Sequence, residues 1–110
     1  MPTDIVILMT TVPVRADVLA LARTLVDEKL AACVNILPTM TSVYRWKGVV
    51  EQDEEQQLII KTTVTRIQAL QSRLAELHPY EVPESLELSV NSGSDNYLRW
   101  LRESTTITGL

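Results

Sequence analysis

Met40-Thr41-Ser42-Val43-Tyr44-Arg45-Trp46-Lys47-Gly48, running on through Val49 and Val50 into Glu51, is the stretch whose reading decides the fold. Ser42, Tyr44 and Trp46 fall on one side of an alternating pattern, with Val43, Arg45 and Lys47 on the other. Lys47-Gly48-Val49 reads as a turn. From Val50 the chain returns as a strand into Leu58-Ile59-Ile60-Lys61-Thr62. Each arm of this hairpin spans a dozen residues or more once Ala31 to Pro38 is counted, against the usual strand of about 5–6 residues. Its tip has too few apolar residues to form a core, so it needs a partner to pack against. Tyr44 and Trp46 are accordingly read as packing groups at a subunit interface.

Outward from the hairpin the pattern is symmetrical. Ile5-Val6-Ile7-Leu8-Met9 is an apolar, β-branched run that reads as a strand buried on both faces, closed by Thr10, Thr11 and Pro13. Val18, Leu21, Ala22, Leu25 and Val26 recur at helical spacing, predicting a helix over 15–29. A strand over 31–37, including Cys33, leads into the hairpin. On the far side, Ile67, Leu70, Leu74 and Leu77 predict a second helix, capped by Thr63 or Thr65 and stopped at His78 by Pro79. Leu86, Leu88 and Val90 alternate with Glu87 and Ser89, giving a strand with one solvated face. Ser94 or Asp95 caps a short helix carrying Tyr97, Leu98, Trp100 and Leu101, and Thr105 to Ile107 reads as an edge strand or tail. The order β-α-β-β-α-β with a C-terminal helix is α+β. It folds as a ferredoxin-like antiparallel sheet with two helices on one face. Two helices cover one face only, so oligomerisation is the expected cover for the other.

The 110 residues, with 45% hydrophobic and 22% charged side chains, read as a single globular domain over 1–110. A net charge of −4 with scattered basic residues gives no basis for nucleic-acid binding. No leader pattern is present, and no run approaches the roughly 18 apolar residues of a membrane helix. A cytoplasmic protein with no membrane association is expected. Cys33 is the single cysteine, so an internal disulfide and any CxxC site are excluded, and its apolar setting predicts a buried structural thiol.

His78-Pro79-Tyr80-Glu81-Val82-Pro83-Glu84 concentrates ionisable groups between two prolines, a rigid corner where helix meets strand. Two readings of His78 stand side by side. It complements the helix C-terminus, or it ligates copper or zinc with Glu81, Glu84, Cys33 or Met9. Lys61 interrupts an apolar strand end and snorkels there, pairs with a carboxylate or lines a cleft. The acids from Glu51 to Glu55 alternate between faces and read as a solvated strand edge. No glycine-rich loop, zinc-protease pattern or nucleophile–base pair is present, so no enzyme is expected.

Several of these segments together resemble the CutA divalent-cation-tolerance family. Residues 25–36, with Leu30-Ala31-Ala32-Cys33-Val34-Asn35-Ile36 at their end, are similar to its LAACVNI segment. Thr41 to Gly48 resembles its TSxYxWxG hairpin, Ile60-Lys61-Thr62 its IKT, and Glu76 to Glu84 its ELHPYEVPE. Asp95 to Trp100 resembles DYLxW with Asn96 inserted. The resemblance implies a ferredoxin-like subunit akin to PII signalling proteins, a homotrimer assembled through the hairpins, and a part in divalent cation tolerance, copper especially. It places the family's copper ligands on Met9, Leu77 and His78. Leu77 offers no donor, so a weak copper or zinc site on His78, Met9 and Glu81 is implied. Lys61, Tyr80, Glu84 and Cys33 are expected to line or border an inter-subunit cleft that takes a metal ion or, alternatively, a small anionic metabolite.

Overall fold

Residues 3–107 are described by a computed structural model. The elements follow in the order β1 (Ile5–Pro13), α1 (Val18–Asp27), β2 (Cys33–Ile36), β3 (Met40–Trp46), β4 (Val49–Thr63), α2 (Ile67–Leu77), β5 (Leu86–Ser89) and α3 (Asp95–Thr105). One antiparallel sheet runs β2-β4-β1-β5, and β3 pairs with the outer half of β4. This is the expected ferredoxin-like arrangement. β2 and β3 occupy one edge of β4 in succession, Cys33 to Ile36 opposite Lys61 to Leu58 and Met40 to Trp46 opposite Glu55 to Val49.

The 15-residue β4 is long because it serves both the body and the hairpin. At the tip, Trp46 pairs with Val49 across a two-residue loop in which Lys47 (φ 49°) and Gly48 (φ 82°) are both left-handed. Two positive-φ residues match the right-handed twist of the flanking strands, so the arms run on without splaying. The projecting hairpin helps stretch the subunit to 46 × 29 × 23 Å.

Directly paired residues project to the same side of an antiparallel sheet. Val6, Leu8 and Val12 of β1 thus share a face with Leu58 and Ile60 of β4. They pack against Val18 and Leu25 of α1 and Ile67, Leu70 and Leu74 of α2. The opposite face carries Ile5, Ile7, Met9, Ile59, Lys61, Leu86 and Leu88. Here α3 covers the Ile5 end through Leu98 and Leu101, and that end alone. Leu86 and Leu88 stand 56% and 45% exposed, so the apolar side of β5, expected to be covered, is open within the subunit.

Boundaries differ from the sequence expectation where backbone hydrogen bonds decide them. β1 continues to Pro13 because β4 reaches back to pair with it at Glu55. α1 begins at Val18, its first turn closed by Asp17 accepting from the Ala20 N–H at 3.0 Å. It ends at Asp27 in a Schellman turn: Leu30 N–H donates to Leu25 C=O and Lys29 N–H to Val26 C=O, with Lys29 left-handed at φ 58°. A lysine in the position that favours glycine hid this stop from the sequence. Neither Thr63 nor Thr65 caps α2; Arg66 occupies that position with no side-chain bond. Ser94 stands before α3 likewise without one. That helix runs 11 residues and takes in Thr105, so it is longer than expected and replaces the start of the expected edge strand or tail.

A cleft between the hairpin and the His78 corner

The corner is pinned through its histidine. His78 caps α2, is 8% exposed, and places Nε2 2.8 Å from the Thr11 carbonyl oxygen and Nδ1 3.1 Å from the Tyr80 amide nitrogen. A carbonyl only accepts and an amide N–H only donates. Nε2 must therefore carry the proton and Nδ1 the lone pair. Burial lowers the pKa of the ring below its ordinary value, against the opposing pull of the Thr11 carbonyl and of the Glu55 charge. Neither ring nitrogen is left to ligate a metal in this geometry. The dipole-complementing reading does not fit a neutral ring either; His78 is a tie between β1 and the corner.

Beyond the tie the chain crosses the end of the sheet and faces the hairpin across a cleft of about 710 Å³. Its floor is Thr11 and Gln57, direct partners on the open sheet face. Met40, Ser42, Tyr44 and Trp46 form one wall, all on the same side of β3. Pro79 to Glu84 forms the other. Gln57 anchors that wall: its Nε2 donates to Glu84 Oε2 and to the Thr10 carbonyl, each at 2.8 Å.

The decisive residue is one the sequence reading set on a solvated strand edge. Glu55 is 7% exposed, and its Oε2 accepts from the Tyr80 hydroxyl at 2.6 Å. Burial and this acceptor push the Tyr80 phenol far above its ordinary pKa, with Arg15 opposing them. On the hairpin wall the Tyr44 hydroxyl donates to Asp53, which with burial and neighbouring carboxylates pushes its pKa up to about 12. Both phenols stay neutral at any physiological pH, each ring held by its hydroxyl. The lining includes Glu55, Glu81 and Glu84 and, among the described residues, no lysine, arginine or histidine.

The expected site thus divides. Tyr80, Glu81 and Glu84 line the cleft, as do Tyr44 and Trp46, which were expected at a subunit interface. Lys61 and Cys33 do not. They are direct partners on the open face, four residues along β4 from Gln57, or about 13 Å. Lys61 Nζ lies 3.4 Å from the Tyr97 hydroxyl and 5.8 Å from that ring's centroid, so α3 holds it. Cys33 is half-buried, where full burial was expected. Met9 is half-buried between Ile59 and Leu86, neither of them a donor. Among the described residues no group of three or more His, Cys, Asp or Glu side chains is arranged to hold a metal ion. Glu55 was missed because Glu51 to Glu54 beside it are indeed solvated. Only its alternation with Gln57 and Ile59 along β4 hinted that it turns toward the sheet.

A ferredoxin-like sheet with an overlong hairpin, and an acid- and aromatic-lined cleft beneath it, defines a small α+β protein of the ferredoxin-like class. Residues 6–104 match the family described as CutA1 divalent ion tolerance protein, and the chain belongs to that family. The divalent-cation tolerance protein CutA of Thermus thermophilus is 46% identical over 99 residues, covering 90% of this chain and 96% of that protein. The chloroplastic protein CutA of Arabidopsis thaliana is 46% identical over 100 residues, 91% of this chain and 55% of that longer protein. The crystal structure of CutA from Xylella fastidiosa superimposes with a TM-score of 0.90 at 38% identity, covering 94% of this chain and all of that one. No helix among the described residues is long and apolar enough to cross a membrane.

Proposed function

We propose that this chain serves divalent cation tolerance as a cytoplasmic, non-enzymatic homotrimer that takes up a metal ion or a small cationic ligand at the cleft. One observation carries the reading: the charged residues of the lining are all acidic, and the deepest of them is Glu55. The open sheet face, with Leu86 and Leu88, supports assembly through that face and the hairpin, which would set the cleft at a subunit boundary. A binding role is supported by the engagement of both nitrogens of the single histidine. Copper or zinc would meet oxygen donors from Glu81 and Glu84 and bind weakly. The alternative, a PII-like trimer taking an anionic metabolite and passing its state to a protein partner, relies on Lys61, which Tyr97 holds outside the cleft.

Sedimentation equilibrium and titration with Cu(II) and Zn(II) test the reading. Three-subunit assembly and weak metal uptake, lost in Glu84→Gln and kept in His78→Ala, are expected. A monomer removes the trimer, and no uptake at any concentration removes the metal. Loss of uptake in His78→Ala in a correctly folded protein would move the metal onto the histidine.

A further inference from the structure

We infer that the cleft recognises an aliphatic ammonium compound rather than a bare metal ion, an inference that rests on the small-ligand reading above. The first observation is Glu55. One of its carboxylate oxygens is taken by Tyr80, while the other accepts no protein hydrogen bond among the described residues, although the side chain is more than nine-tenths buried and lines the cleft. That second oxygen is not sealed away from solvent, so it stands open to accept from an N–H donor of a ligand, and a hydrogen bond to a charged acceptor is among the stronger ones. A metal ion would ask for several convergent carboxylates, and that set is absent among the described residues.

The second observation is aromatic. Tyr44, Trp46 and Tyr80 present rings to the same space. The hydroxyls of both tyrosines are committed to Asp53 and Glu55, which leaves the ring faces as their contact surface. Ring faces attract an ammonium, the more so beside a carboxylate. The same chemistry is already present at the rim, where Lys47 Nζ sits 5.5 Å from the centroid of the Trp46 ring. Met40, Val82 and Pro83 add apolar lining suited to a methylene chain. A cleft of about 710 Å³ is far larger than an ion needs and accommodates a short alkyl diamine.

Isothermal titration of the full chain in its native assembly, at neutral pH and constant ionic strength, tests this with diaminobutane as the probe and butanediol as its neutral counterpart. Saturable uptake of the diamine, and none of the diol, is expected. Glu55→Gln should weaken uptake by about tenfold or more, as loss of a charged partner does. Trp46→Ala should weaken it by about fivefold. Because Glu55→Gln also touches the Tyr80 tie, Glu81→Gln on the exposed rim provides a variant whose fold is not at issue, with an expected weakening of about threefold. Equal uptake of diol and diamine, or diamine uptake unchanged in folded Glu81→Gln and Trp46→Ala, overturns the inference. So does a trimer that retains Cu(II) or Zn(II) but ignores the diamine, and that result leaves the metal reading standing. Diamine uptake without metal retention supports the inference and removes the metal alone.

Discussion

The two faces of the sheet are built from the same strands and the same kinds of residue, yet they end in opposite conditions. On one, Leu8, Leu58 and Ile60 are completely enclosed beneath α1 and α2. On the other, Leu86 and Leu88 face open space and Ile7, Met9 and Ile59 are half-buried, with only α3 across one end. Alternation along a strand sends neighbouring residues to opposite faces, so the continuous apolar runs Ile5 to Met9 of β1 and Leu58 to Ile60 of β4 put apolar side chains on both faces. The subunit supplies one cover itself. The second face is the price of a two-helix fold, and the cleft opens on that same side.

The sharpest way to break the contrast is a matched pair of truncations. Ile60→Ala should cost about 4 kcal/mol in urea unfolding, since it leaves a cavity in an enclosed core. Leu88→Ala should cost about 0.5 kcal/mol or less in the dissociated subunit. Its cost should grow with protein concentration if assembly covers that face. Equal costs at low concentration would show the face is covered within the subunit.

Removing the hydroxyl that joins the corner to the hairpin comes next. Tyr80→Phe strips Glu55 of its donor and should cost about 2 kcal/mol, read by chemical denaturation. Tyr44→Phe, whose acceptor Asp53 is exposed, should cost clearly less. That asymmetry places the strength of the cleft on the corner side.

The His78 tie sets a pH dependence with a definite sign. Its folded pKa is depressed, so the unfolded chain binds the proton more readily. Stability is therefore fully present above the unfolded value of about 6.5 and is lost as pH falls below it toward the folded pKa. Protonation at Nδ1 also ends its bond with the Tyr80 amide, so the corner should loosen first. Amide exchange at Tyr80 that accelerates in mild acid before the body does would confirm this order, and uniform exchange would contradict it. A small effect is expected at the hairpin tip. Gly48→Ala meets no neighbour but must adopt φ 82°, and should cost about 1 kcal/mol without altering the sheet.

Much of the fold was legible in the order of residues. A continuous β-branched run marked β1, periodicity marked α1, α2 and β5, Lys47-Gly48 marked the hairpin tip, and Pro79 marked the end of α2, because each is a local consequence of neighbouring residues. The stop of α1 was not, since Lys29 pays left-handed strain that a glycine would have announced. At the cleft, Tyr80 and Glu81 were singled out by their crowding between two prolines and Glu84 by following directly on the second, and all three line it. Lys61 and Cys33 lie apart from this cleft within the single chain, because α3 arrives from the far end of the chain to meet Lys61 through Tyr97.

The sequence by itself determined the element order, the antiparallel hairpin, the rigidity of the His78 corner and the presence of two apolar faces. All of these follow from periodicity and from backbone restrictions acting within a few residues. Only the tertiary structure decided what the polar groups do. It gave His78 one tautomer by setting a carbonyl on one side and an amide on the other. It buried Glu55 beneath Tyr80, 25 residues away along the chain, and so drew one member of a solvated acidic edge into the lining of an aromatic cleft. Hydrogen bonds of that kind join residues distant in sequence, and no local pattern records them.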